Sequence, residues 1–179
     1  MGFLRWLLGL FRPNPVFTLS DEISFDEALT RKAMSQLGKG ETAGNNQGPD
    51  VVEYRQGKSG RGSWCAAFVS WCIEETARDL GIDSPVARSH GARRLFKNAV
   101  AAGQRRETPD RGMLALWNRG APGGWQAHIG IVRRAEPDGT FYCIEGNRGR
   151  YPAKVGIFKH QLGEARLVGF VRIGRAAAP

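Results

Sequence analysis

Three short blocks hold residues able to do covalent chemistry. The first is Gly62-Ser63-Trp64-Cys65-Ala66-Ala67-Phe68-Val69-Ser70-Trp71-Cys72, a tight loop that opens into a helix with a cysteine at the opening. A helix N-terminus carries unpaired N–H groups and the positive end of the dipole. A thiol placed there is pushed toward thiolate, its nucleophilic form. The second block is Ala127-His128-Ile129-Gly130-Ile131-Val132, and the third is Cys143-Ile144-Glu145-Gly146-Asn147. Together they supply a nucleophile, a base and an imidazole partner. The histidine takes the thiol proton and returns it to a leaving amine. A carboxylate or amide on the far imidazole nitrogen fixes the tautomer. The Cys65 backbone N–H, at the helix tip, is a natural oxyanion donor.

Each residue alone has a plainer reading. A cysteine in an apolar helix is more often core than nucleophile, and Cys72 and Cys143 read as core. A lone strand histidine is more often structural, and Glu145 alone reads as a hairpin-end carboxylate. Cys65 stands apart because it follows Gly-Ser-Trp at a helix start and has partners downstream.

The elements that must position these groups follow from periodicity. Thr18 to Glu22 reads as a helix start, with Phe25, Ala28, Leu29, Ala33 and Leu37 at helical spacing and Gly38 and Gly40 as the stop. Asp50 to Gln56 reads as one or two helical turns. The Cys65 helix runs to about Leu80 and stops at Gly81. It turns Cys65, Phe68, Val69, Cys72, Ile73 and Thr76 to one inward face. A further helix is expected over Ser89 to Ala102. Strands are expected over Met113 to Trp117, Ala127 to Arg133, Thr140 to Glu145 and Leu167 to Ile173, with Lys154 to Phe158 as another. Helices first, then short strands joined by Gly- and Pro-containing turns, argue an α+β fold with an antiparallel sheet. On the His128 strand, His128 and Gly130 share one face and Ile129 and Ile131 the other. Cys143 and Glu145 likewise share a face. Packing of the Cys65 helix on the His128 and Glu145 face would bring the three groups together.

The chain has 179 residues, enough for one domain with a real core. The expected division is an apolar N-terminal segment over 1–17, a catalytic domain over 18–175 and a loose tail over 176–179. Net charge is +9, which points to an anionic partner or surface. Nucleic acid, anionic lipid and wall polymers all qualify on charge. Seven basic residues lie between Arg88 and Arg111 against Glu107 and Asp110, and the plain reading of any one is a solvated helix face. No aromatic residues interleave them as in single-strand binders, so nucleic acid is not expected as a partner. Three cysteines make a disulfide framework improbable. Cys65 and Cys72 lie about 10 Å apart along one helix, too far to bridge. There is no CxxC pair and the histidines are scattered, so no metal site and no cofactor are expected.

Met1 to Arg12 is apolar but for Arg5 and Arg12. It is too short to span a bilayer and poor as a secretory signal. Two readings stand: an interfacial helix dipping Trp6, Leu7, Leu10 and Phe11 into lipid, or a segment docked on the domain or on a partner.

At the three blocks the chain resembles the CHAP family, the cysteine- and histidine-dependent amidohydrolases/peptidases of the NlpC/P60-like and papain-like group. Trp64 to Cys72 is similar to the nucleophile motif, Ala127 to Val132 to the histidine strand, and Ile144 to Asn147 to the third motif. Gly44-Asn45-Asn46-Gln47-Gly48-Pro49 is similar to a loop of many members. The resemblance spans roughly Glu27 to Ile173. It implies a papain-like α+β fold and cleavage of a peptidoglycan amide, by an N-acetylmuramoyl-L-alanine amidase or a peptide endopeptidase. By motif match Cys65 is the nucleophile, His128 the base, Glu145 the imidazole partner and Asn147 a fourth polar contributor. Trp64 and Trp125 are expected as substrate-binding residues lining the cleft, with core packing as the alternative. The Asp-rich calcium loop of some members is absent. No wall-binding domain follows, so targeting is expected of the catalytic domain or its charge.

The expected roles are phage endolysin, the cell's own wall hydrolase, or antibacterial effector. Each implies synthesis in the cytoplasm without a clear signal peptide and action on the wall or in the periplasm. Peptidoglycan is then the partner, an effector adds an inhibitor or immunity protein, and the N-terminal segment offers membrane contact. Two other classes compete: a thiol amidase of small soluble peptide or polyamine conjugates, and a non-catalytic wall-binding module.

Overall fold

The computed structural model describes residues 23–174. The expectations for 1–17, for the helix start at 18–22 and for the tail at 176–179 lie outside the described residues. Four helices and six strands follow in order: α1 (Phe25–Met34), α2 (Pro49–Tyr54), α3 (Cys65–Asp79), α4 (Ala92–Ala102), β1 (Gln104–Arg106), β2 (Leu114–Asn118), β3 (Ala127–Ala135), β4 (Thr140–Glu145), β5 (Gly156–Gln161) and β6 (Leu167–Arg172). The strands form one antiparallel sheet in the order β1-β6-β2-β3-β4-β5. The expected α+β class holds. Among the described residues no helix is long and apolar enough to cross a membrane.

Local chemistry sets the helix limits. Ser24 caps α1, its Oγ accepting the Glu27 N–H at 3.2 Å, and Asp26 and Glu27 sit favourably in the first turn. The helix ends at Met34, short of the expected glycines, because Gly38 N–H donates to Val155 O and draws the chain toward the sheet. The fourth helix starts at Ala92, not Ser89. Ser89 instead folds against α3, where its carbonyl accepts the Ser70 hydroxyl at 3.1 Å. The expected strand near Lys154 runs from Gly156 to Gln161, fixed by pairing of Glu145 with Gly156 and of Thr140 with Gln161. β1 was not expected. It is a three-residue exposed edge strand with no apolar alternation to announce it.

The helices pack on the Ile129 and Ile131 face of β3, not on the His128 face. Leu114, Leu116, Ile129, Ile131, Ile144 and Val171 share one core with α3 and with Leu29, Leu95 and Phe96. The opposite face carries a second cluster of Ala115, Trp117, Val132, Phe141, Cys143 and Phe170. Both faces of the central strands are apolar, so the alternation could not say which one the helices cover.

The three blocks converge around Trp64, which is fully buried. Its ring stacks on Tyr54 at 5.7 Å, and its Nε1–H donates to Glu41 Oε1 at 3.0 Å. It lies directly over Gly146, where a Cβ would stand 2.3 Å from the ring. The glycine between Glu145 and Asn147 is therefore a space requirement. Gly146→Ala should lower stability by about 1–3 kcal/mol through overpacking. Urea unfolding followed by Trp fluorescence checks this, and an unmoved midpoint would contradict the packing described.

Candidate active site

Cys65 is the first residue of α3 and is 3 % exposed. The loop before it is held from beneath by buried Arg55, whose guanidinium donates to Asn46 O at 3.1 Å, Gly60 O at 2.7 Å and the Gly62 carbonyl. Asn147 holds the same loop from the other side. Its Oδ1 accepts the Trp64 N–H at 3.2 Å, and its Nδ2 donates to Asn46 Oδ1 at 2.6 Å. The Asn147 backbone is left-handed, φ 59°, a conformation asparagine tolerates better than most residues.

Cys65 meets His128 at the end of the sheet. The last β3–β4 pair on this side is Ile131 with Ile144, so β3 runs on past its neighbour at His128 and Ile129. The thiol enters there, facing the imidazole and the Ile129 N–H. His128 is 4 % exposed, and its Nε2 lies 2.7 Å from Glu145 Oε2. Gly130 makes room for that carboxylate, since a Cβ there would stand 2.7 Å from Glu145 Cγ. The glycine beside His128 thus admits the neighbouring strand's side chain, not another element.

Glu145 is 0 % exposed and serves two histidines. Its Oε1 lies 2.6 Å from His160 Nε2, and Arg148 donates to both oxygens at 2.9 and 3.0 Å. On the far side, His160 Nδ1 lies 3.1 Å from Glu164 Oε1, and its ring packs 4.4 Å from Trp117.

These contacts set the charges. Burial alone would raise the Glu145 pKa, but hydrogen bonds from His128 and His160 and the positive charges of His128 and Arg148 pull it down to about 2. Burial likewise opposes charge on Cys65 and His128. For Cys65, the hydrogen bond to His128, the charges of His128 and Arg119 and the Ile129 N–H outweigh burial and lower the pKa. For His128, the contacts with Cys65 and Glu145 outweigh burial and raise it. Both shifts favour proton transfer from thiol to imidazole. Cys72 and Cys143 have no such partners, and burial pushes their thiols well up.

With Nε2 committed to Glu145, the thiol's partner is Nδ1. The Arg119 guanidinium also stands there, 2.8 Å away. A guanidinium only donates, so in this geometry Nδ1 offers its lone pair and the imidazole proton sits on Nε2.

The structure thus brings Cys65, His128 and Glu145 into one chain of contacts. Asn147, expected as a fourth polar contributor, makes no hydrogen bond to the thiol or the imidazole; its side chain holds the loop before Cys65. Trp64 does not line a cleft, because it is sealed under Gly146 and bonded to Glu41. Trp125 is 84 % exposed, on the β2–β3 loop that also carries Arg119, so core packing is excluded for it. Five residues with a place in the site were not found by sequence reasoning: Glu41, Arg55, Arg119, Arg148 and His160. His160 alone had a local signal, since it alternates with Phe158 along β5 and so faces the same way.

The CHAP domain family model matches residues 56–147, from the loop before Cys65 to Asn147. The chain belongs to the CHAP domain family. Among solved structures, one titled "The crystal structure of Ly7917" aligns with a TM-score of 0.51 at 18 % identity, over 83 % of this chain and 62 % of that one. That likeness is one of fold, and the chain spans less than two thirds of that relative's length. No curated protein matches the chain.

The Glu145 network predicts a pH dependence. Its folded pKa lies below the ordinary value of 4.5, so the folded state favours the ionised carboxylate. That stability is present above about pH 4.5 and lost as pH falls toward about 2. Wild type should lose about 2–3 kcal/mol more than Glu145→Gln between neutral pH and about pH 3. Urea midpoints across that range check it, and parallel curves would contradict it.

Proposed function

We propose that the protein is a peptidoglycan hydrolase that cuts an amide bond through the Cys65 thiolate, as an N-acetylmuramoyl-L-alanine amidase or a peptide endopeptidase. The observation that carries the reading is the contact chain from Cys65 through His128 to buried Glu145. Membership of a family of amidohydrolases and peptidases supports it.

In this reading the Cys65 proton passes to His128 Nδ1 and the sulfur attacks the amide carbonyl carbon. The carbonyl oxygen becomes an oxyanion facing the Cys65 N–H, which has no intrahelical acceptor at the first helical position. His128 then gives its proton to the leaving amine, and a thioester remains. Water attacks the thioester with His128 as base, and the thiol returns. Glu145 stays ionised throughout and holds the imidazole. Exposed Trp125 offers an apolar platform to a glycan or peptide stem. The net charge of +9 suits an anionic wall. Endolysin, wall hydrolase and antibacterial effector are roles this chemistry can serve.

Purified sacculi incubated with wild type and with Cys65→Ala test the proposal. Wild type should release soluble fragments, and mass spectrometry of the new termini names the bond. The variant should release at least about a thousandfold less, as expected for loss of a nucleophile. Walls of several chemotypes left intact by wild type would overturn the reading. Cleavage of soluble amides alone would move it to the small-conjugate amidase.

A further inference from the structure

Arg119 is an exposed arginine at the mouth of the site, just past the end of β2. Its guanidinium contacts two neutral acceptors, His128 Nδ1 at 2.8 Å and the Asn147 carbonyl at 3.4 Å. Among the described residues no carboxylate pairs with it. Nearby arginines are differently placed. Arg148 is committed to Glu145, Arg88 to Glu74, and Arg93 to the Asn118 side chain and the Gly124 carbonyl.

A guanidinium presents a planar fork that matches a carboxylate with two parallel hydrogen bonds. Here one nitrogen of the guanidinium, Nη2, makes both contacts, which leaves the rest of the fork to meet a carboxylate. A carboxylate is a stronger acceptor than either neutral group and draws the guanidinium toward itself. Resting on the hydrolase reading above, we propose that Arg119 is the carboxylate-recognition residue of this site. The substrate class is then a peptide with a free carboxylate beside the scissile amide. Binding that carboxylate draws Arg119 outward from Nδ1 and holds the scissile amide beside Cys65. Arg119 thus couples substrate choice to placement of the scissile amide at the nucleophile.

Alkylation of Cys65 isolates this step without any wall substrate. Iodoacetate and iodoacetamide react alike: the sulfur forms a bond to the CH2 carbon, the C–I bond breaks and iodide leaves. They differ in that iodoacetate carries a carboxylate one carbon from the reacting centre. The measured quantity is the ratio of the two rates at Cys65, by mass spectrometry, in wild type, Arg119→Ala and Arg119→Lys. Any general effect of Arg119 on thiolate content cancels in the ratio.

Wild type should show an iodoacetate-to-iodoacetamide ratio roughly tenfold above that of Arg119→Ala, as expected for a partly solvated charge pair at close range. Arg119→Lys should keep part of the preference, as a point charge without the fork. Ratios within about twofold of one another, with Cys65 still the fastest thiol, would overturn the proposal and leave the hydrolase reading standing. A Cys65 that reacts with neither reagent faster than Cys72 and Cys143 would overturn both.

Discussion

The site depends on one fully buried carboxylate. Glu145 sits at the end of β4 with no solvent contact, and an ionised group there is tolerated only if its lone pairs are met. His128, His160 and Arg148 meet them. A carboxylate so held does not rotate or take up a proton near neutrality, so His128 is fixed in ring plane and tautomer. The thiol's position then follows from the helix start, and the acid–base properties of Cys65 follow from both. Removing one partner of such a network strands the others without solvent, which is costlier than losing an exposed pair.

A second constraint makes this arrangement cooperative. Trp64, immediately before Cys65, lies on Gly146, immediately after Glu145, and donates to buried Glu41. Glu41 Oε2 also accepts the Ala153 N–H at 2.8 Å, and Asn147 reaches both Trp64 and Asn46. The loop before α3, the turn after β4 and the segment before α2 are thereby locked to one another. Residues far apart in sequence set a thiol and an imidazole within reach of proton transfer. Two of the anchors, Glu41 and Asn46, lie upstream of the family match, and His160 lies downstream of it. The working site is larger than the motif span.

What could be read from the chain alone is what local physics controls. The opening of α3 at Cys65, the alternation of His128 with Gly130 and the stretch ending in Glu145 are local patterns, and each appears at its place. The α+β class followed from the order of helical and strand periods. The side of the sheet taken by the helices was not legible, because Leu114, Ala115, Leu116 and Trp117 are buried in unbroken succession on both faces. Trp64 and Trp125 look alike in sequence, each beside a reactive block, yet one is sealed in the core and the other stands in solvent. Contacts distant in sequence separate them: the Gly146 gap, the Tyr54 ring and the Glu41 carboxylate all receive Trp64. Arg119 is one of 26 basic residues, and nothing near it in sequence shows that the chain brings it onto His128.

The His128 and Arg119 contacts lower the pKa of the Cys65 thiol, so that its thiolate forms at a pH where an ordinary thiol is protonated. The direct measurement is the thiolate absorbance near 240 nm, as the difference between wild type and Cys65→Ala, titrated from acid to alkaline pH. The expected result is a thiolate signal that appears below the ordinary thiol pKa of about 8.5, the direction in which His128 and Arg119 move the Cys65 thiol. Appearance of the signal only at or above that value would contradict it, because neither His128 nor Arg119 would then be acting on the sulfur.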